Sequence, residues 1–99
     1  MRYFEAANGF NSAEASLCFT EQALVHDESH DHIGRDAIRA WVQDTSEKYR
    51  PKFELKHYQM DGNDILLTVK ISGTFPGSPI ELDYKIILED GLISKLIIE

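Results

Sequence analysis

Ninety-nine residues make one domain with a modest core and a thin stability margin. The chain is 42% hydrophobic and 10% aromatic, which excludes a disordered segment, and its formal net charge is -7. That acidic excess speaks against nucleic acid and against an anionic membrane surface as partners, because both are held by clustered Lys and Arg. The single cysteine, Cys18, can form neither an internal disulfide nor a thiolate zinc site, and its apolar helical setting marks it as a buried small hydrophobe.

In chain order, residues 2–8 have the pattern of a short helix stopped at Asn8-Gly9. Asn11, with Glu14 three residues on, predicts a second short capped helix whose apolar face is Leu17, Cys18 and Phe19. Ala23 to Glu28 is expected to be a strand, and His30 to Ile33 a loop or a short partner strand. Gly34 then breaks the chain before a helix from about Asp36 to Tyr49. Ile38, Trp41, Val42, Thr45 and Tyr49 form one stripe of that helix, and Pro51 prevents its continuation.

The rest is strand-like. Phe53, Leu55, His57 and Gln59 alternate with Glu54, Lys56, Tyr58 and Met60, and Asp61-Gly62-Asn63-Asp64 signals a hairpin. Ile65, Leu67, Val69, Ile71 and Phe75 then share a face. Pro76-Gly77-Ser78-Pro79 turns the chain, Ile80, Leu82, Tyr84, Ile86 and Leu88 share the next face, and Asp90-Gly91 leads into a last strand, Leu92 to Ile98. Helices first and strands later define an α+β class, with helices packed on one curved antiparallel sheet. No apolar run approaches membrane-spanning length, and Met1-Arg2-Tyr3-Phe4-Glu5 carries no apolar leader, so the expected location is cytoplasmic.

Arg2-Tyr3 with Asn8, then Phe19, Ala23, Val25 and Asp27, then Gly34-Arg35-Asp36-Ala37-Ile38-Arg39 and Trp41, and finally Asp90-Gly91, occur in an order and spacing that resemble the NTF2-like superfamily. The likeness is to its SnoaL-like and ketosteroid-isomerase-like members, and it covers nearly all of residues 1–99. It implies a cone, in which a strongly bent sheet wraps around helices and leaves a pocket at the open end. It also implies pairing into a homodimer through the outer sheet face. In ketosteroid isomerases a strand Asp is the base, and a Tyr and a protonated Asp form the oxyanion hole. On that resemblance Asp27 takes the role of base and Tyr3 that of donor. Tyr84 is the favoured third polar group of the pocket, and Asp83 is the alternative if the strand register differs by one residue. Two departures stand out: the first helix is short, and Glu28 follows Asp27 where the isomerases have Pro.

The residues alone give Asp27 two readings. Val25 and Asp27 share one face of their strand, so an internal Val25 carries Asp27 into the cavity, where burial makes it a better base toward a C–H acid. The other reading is a structural carboxylate bonded to a helix start or to a Tyr. Trp41, Val25, His57, Phe19 and Tyr58 are the expected pocket-lining side chains. His26, Glu28, His30 and His32 would face one side as a divalent-metal array if the chain stayed extended; a turn near Ser29 would instead leave a polar hairpin in solvent, and no metal is assigned. Arg35 and Arg39 fit either an anion contact or surface ion pairs. No phosphate loop, Ser-His-Asp order or dinucleotide fingerprint is present, so the chemistry is expected to need no cofactor. The expected activity is proton transfer of isomerase or cyclase type on an apolar carbonyl compound. The alternative is a non-catalytic ligand-binding or protein-interaction domain on the same cone.

Overall fold

The computed structural model describes residues 1–99. Its elements run α1 (Arg2–Asn8), α2 (Ser12–Ser16), β1 (Phe19–Asp27), β2 (His30–Ile33), α3 (Arg35–Tyr49), β3 (Lys52–Asp61), β4 (Asp64–Ser72), β5 (Ile80–Glu89) and β6 (Leu92–Ile98). The strands form one six-stranded sheet in the order β2-β1-β6-β5-β4-β3. All neighbours are antiparallel except β1 and β6, which close the crossover in parallel. This is the expected α+β architecture, with His30–Ile33 a true partner strand and β1 four residues longer at its start than the Ala23 boundary.

Local chemistry explains the joints. The Asn11 side chain accepts from the Glu14 amide and caps α2. Glu28 and Ser29 both have positive φ, 52° and 65°, the signature of a type I′ turn, so β1 and β2 pair with Asp27 opposite His30 and Val25 opposite His32. The α3 helix begins after Gly34 and ends at Arg50 in the left-handed region, just before Pro51. Asn8 ties the end of α1 to the start of β3: its amide donates to the Phe53 carbonyl (3.1 Å) and accepts from the Phe53 N–H (2.7 Å). Arg35 donates from Nε to the Phe19 carbonyl (2.9 Å), so it fastens α3 to β1.

The core lies between α1, α3 and the concave sheet face. Phe19, Val25, Ile38, Val69, Ile86 and Leu96 are sealed within it. Cys18 is buried beside them, and burial raises its thiol pKa.

The β3 register departs from simple alternation. An irregularity at Lys56 separates Leu55, opposite Val69, from His57, opposite Thr68. Phe53 and Leu55 therefore face inward before it, and Tyr58 and Met60, opposite Leu67 and Ile65, after it. His57 is thrown to the outer face. Tyr58 keeps the inner face but is 74% exposed, because no helix covers this end of the edge strand. The expected pocket-lining roles of His57 and Tyr58 are thereby corrected.

Candidate functional site

A cavity of about 320 Å³ opens between α1, α3 and the sheet. Its walls are mainly apolar, with Phe53, Phe75, Ile71, Leu82 and Ile98 among them. The polar groups at its wall are few. They include Asp27 from the end of β1, Tyr3 from α1, Tyr84 from the middle of β5, Trp41, Thr45 and Tyr49 from α3, and Glu28 from the hairpin turn.

Sheet register decides between Tyr84 and Asp83. Tyr84 lies opposite Leu67 on β4 and Ile98 on β6, both inward and buried. Asp83 lies opposite Thr68 on the outer face, where its carboxylate accepts from the Thr68 hydroxyl at 3.4 Å. Asp83 therefore stands outside the cavity, and Tyr84 within it.

Val25 and Phe19, expected to line the pocket, do not reach it. Both are fully buried, and the Tyr3 ring packs edge-on against Phe19 at 5.5 Å, filling the space that a ligand would need there. Only where β1 runs out, at Asp27, does the strand meet the cavity. The Phe4 ring lies behind Tyr3 (5.1 Å) and Tyr84 (5.6 Å), so one aromatic wedge sets both phenols.

Asp27 is half-buried and accepts from the indole Nε1–H of Trp41 at 3.1 Å. Burial raises its carboxyl pKa above the ordinary value; the Trp41 bond opposes that rise, the Glu28 charge adds to it and the His32 charge works against it. Tyr3 and Tyr84 are each 2% exposed, yet neither hydroxyl has a hydrogen-bond partner in the protein. No side-chain polar atom is both sealed from solvent and unpartnered. The two hydroxyls must therefore open onto the cavity. Burial first, and then Asp27 for Tyr3 and Tyr3 followed by Asp27 for Tyr84, hold both phenols well above the ordinary tyrosine range, so they stay protonated donors at neutral pH.

Tyr49, Glu28 and Phe75 meet at the mouth of the cavity. Tyr49 donates to Glu28 at 3.2 Å across it, and Phe75 packs edge-on against the Tyr49 ring at 5.7 Å. Tyr49 belonged to the helix stripe and Glu28 to the hairpin; only the fold brings them together. The I′ turn also dissolves the extended His26–His32 array. His26 bonds Asp31 at 2.6 Å on one face of the hairpin, while the register places His30 and His32 on the face of Asp27.

The sequence matches the SnoaL-like domain over residues 1–95. The chain belongs to the SnoaL-like family. No functionally curated protein matches it. Among solved structures, a candidate polyketide cyclase from Sinorhizobium meliloti is 34% identical, with a TM-score of 0.95 over 99% of this chain and 90% of that one. SalBIII, an epoxide hydrolase/cyclase-like enzyme of pyran-ring formation in the polyether salinomycin, is 20% identical with a TM-score of 0.84, covering 97% of this chain and 82% of its own. A protein with a ketosteroid isomerase-like fold from Catenulispora acidiphila, in complex with trimethylamine, is 14% identical with a TM-score of 0.88, covering 99% and 81%. At their identities the last two share the fold alone. No helix of this SnoaL-like chain is long and apolar enough to cross a membrane.

Proposed function

We propose that this SnoaL-like domain is a small-molecule enzyme that moves a proton on an apolar carbonyl compound without a cofactor. The observation that carries the reading is the convergence, on one largely apolar cavity, of a half-buried carboxylate with two buried, unpartnered phenols. The Asp27 carboxylate takes a proton from the carbon next to the carbonyl. The C–H electron pair moves onto the carbonyl oxygen, and Tyr3 and Tyr84 donate to the enolate oxygen as its charge develops. Protonated Asp27 then returns the proton. In an isomerisation the acceptor is another carbon of the same conjugated system. In a cyclisation the enolate carbon bonds to a second carbonyl, and the new alkoxide takes the proton. The likeness to a candidate polyketide cyclase supports the second outcome, and the resemblance to ketosteroid isomerases the first.

Asp27→Asn, assayed with β,γ-unsaturated ketones and with poly-β-carbonyl compounds, tests the reading. Loss of turnover by roughly 10²–10⁴-fold with the fold intact is expected for removal of a general base. Unchanged turnover would remove Asp27 from the chemistry. One observation favours a second reading, a binding domain without turnover: the open mouth leaves Asp27 only half-buried, which desolvates it less. That reading expects apolar ligands to bind equally well to Asp27→Asn and to remain unchanged.

The pairing of two copies through the outer sheet face is part of the same proposal. Ile33 and Leu66, 63% and 47% exposed on that face, are apolar surface that a second copy would cover. Sedimentation of Leu66→Lys as a monomer, against a dimeric parent, would support it.

A further inference from the structure

Asp27 stands in the wall between two different spaces. One is the apolar cavity. The other is a shallow groove of about 170 Å³ on the far side of Trp41 and Tyr49, whose polar rim includes His30, His32, Asp44 and Lys48 as well as Asp27 itself. The hairpin register builds that second side. With Val25 opposite His32 and Asp27 opposite His30, both histidines leave β2 on the same face as Asp27, toward α3. His32 is half-buried there and stacks on the Trp41 indole, with ring centroids 5.8 Å apart and an interplanar angle of 29°. The same indole donates its Nε1–H to Asp27 at 3.1 Å.

An indole can swing about its side-chain torsions unless its faces are held. Trp41 is 8% exposed, and the His32 imidazole lies stacked against its ring. We infer that His32 is a positioning residue for Asp27, working from the groove rather than from the cavity by clamping the indole that hydrogen-bonds the carboxylate. This rests on the reading of Asp27 as the reacting carboxylate. It adds a residue that never meets the substrate and a polar side through which the carboxylate can exchange its proton while the cavity is occupied.

The charge of His32 gives the clamp a second consequence. Asp27 is faced by Glu28 from its own turn, His30 and His32 from β2, Trp41, Asp44, Lys48 and Tyr49 from α3, Tyr3 from α1 and Tyr84 from β5. Of the ionisable neighbours, Glu28 disfavours the carboxylate and a protonated His32 favours it. Without that positive charge beside it Asp27 is the stronger base.

The experiment is a ¹³C NMR titration of the Asp27 carboxyl, with the Trp41 indole N–H signal followed in the same samples, for the full chain and for His32→Phe and His32→Gln. His32→Phe keeps a flat ring on the indole and loses the charge. The expected result is an upward move of the Asp27 midpoint with the indole signal in place. His32→Gln loses both, so the midpoint should rise and the indole signal should shift and broaden. If both variants leave midpoint and indole signal at their parent values, the inference is overturned. An indole signal that shifts in neither variant while the midpoint rises in both equally overturns the clamp. Neither readout needs turnover. A midpoint that responds to His32 in a protein with no activity on any carbonyl compound would sink the enzymatic reading and leave the positioning role standing, and activity without that response would do the reverse.

Discussion

Strand β1, paired on both sides next to the short β2 edge, and β3, the opposite edge of the sheet, have similar apolar alternation and opposite fates. In β1 the inward residues Phe19, Ala23 and Val25 are sealed, because α3 and α1 lie across them. In β3 only Phe53 is held, by Phe4 and by the two Asn8 bonds, and the strand beyond it is exposed on both faces. A period of two states that a segment is a strand. Whether its inner face becomes core, cavity or surface depends on the helix laid over it. The cavity forms at the boundary between these regimes, where α1 and α3 cover the sheet without filling the space beneath, and Asp27 lies on the covered side of that boundary.

Asp27 itself is where substitution has the largest expected effect. Beyond the loss of activity, Asp27→Asn has a stability consequence. The folded-state pKa of Asp27 is raised, so at low pH, where folded and unfolded chains are both protonated, nothing is lost. Stability falls as pH rises from the unfolded carboxylate value, ~3.9, through the folded one, because ionisation is then easier in the unfolded chain. Asn carries no charge and still offers an oxygen to Trp41. The variant should therefore melt at or above the parent temperature at pH 7 while losing most of its turnover, and a lower melting temperature would contradict the buried charge.

Next come the two phenols. Tyr84→Phe and Tyr3→Phe remove only a hydroxyl, so the packing on Phe4 survives, and each should cost about 10²–10³-fold in kcat, the scale of a lost oxyanion donor. A planar phenol such as 2-naphthol, whose phenolate imitates an enolate, should bind the parent and weaken in both variants. If kcat is unchanged and only KM rises, the phenols bind substrate without stabilising the developing charge.

Smaller effects follow at the edge of the site. Trp41→Phe removes the donor that opposes the rise of the Asp27 pKa, so the titration midpoint moves further up. Glu28→Gln removes the like charge, so it moves down, and the Tyr49 hydroxyl keeps an acceptor. A shift of either midpoint in the other direction would mean that the local geometry is misassigned. At the bottom of the scale, His57→Ala and Tyr58→Ala on β3 should change stability by no more than ~0.5 kcal/mol and leave ligand binding untouched, as exposed positions do. A loss of binding in either would restore β3 to the pocket.

Much of the frame was legible in the residues. The Asn11 cap, the stripe on α3, Pro51 and Asp90-Gly91 each act within a few residues of themselves, and each lies where its local chemistry predicts. Tyr84 was legible because its neighbours alternate without interruption from Ile80 to Leu88. His57 was not, because the irregularity at Lys56 inverts the pattern and leaves no mark in residue type. Val25 lies on the face its alternation predicts but deeper than the pocket, and Phe19, expected on the second helix, opens β1 instead: face follows from periodicity, depth from what packs opposite. The Glu28–Tyr49 bond joins groups 21 residues apart, and no local pattern announces such a meeting.

The ionisation of Asp27 decides the chemistry of the site. Titration of the Asp27 carboxyl by ¹³C NMR in the unliganded protein should give a midpoint above the ordinary aspartate value of ~3.9, as burial against Trp41 and beside Glu28 requires. A midpoint at or below that value would mean a well-solvated carboxylate, a poor base toward carbon, and would contradict the proposed proton transfer.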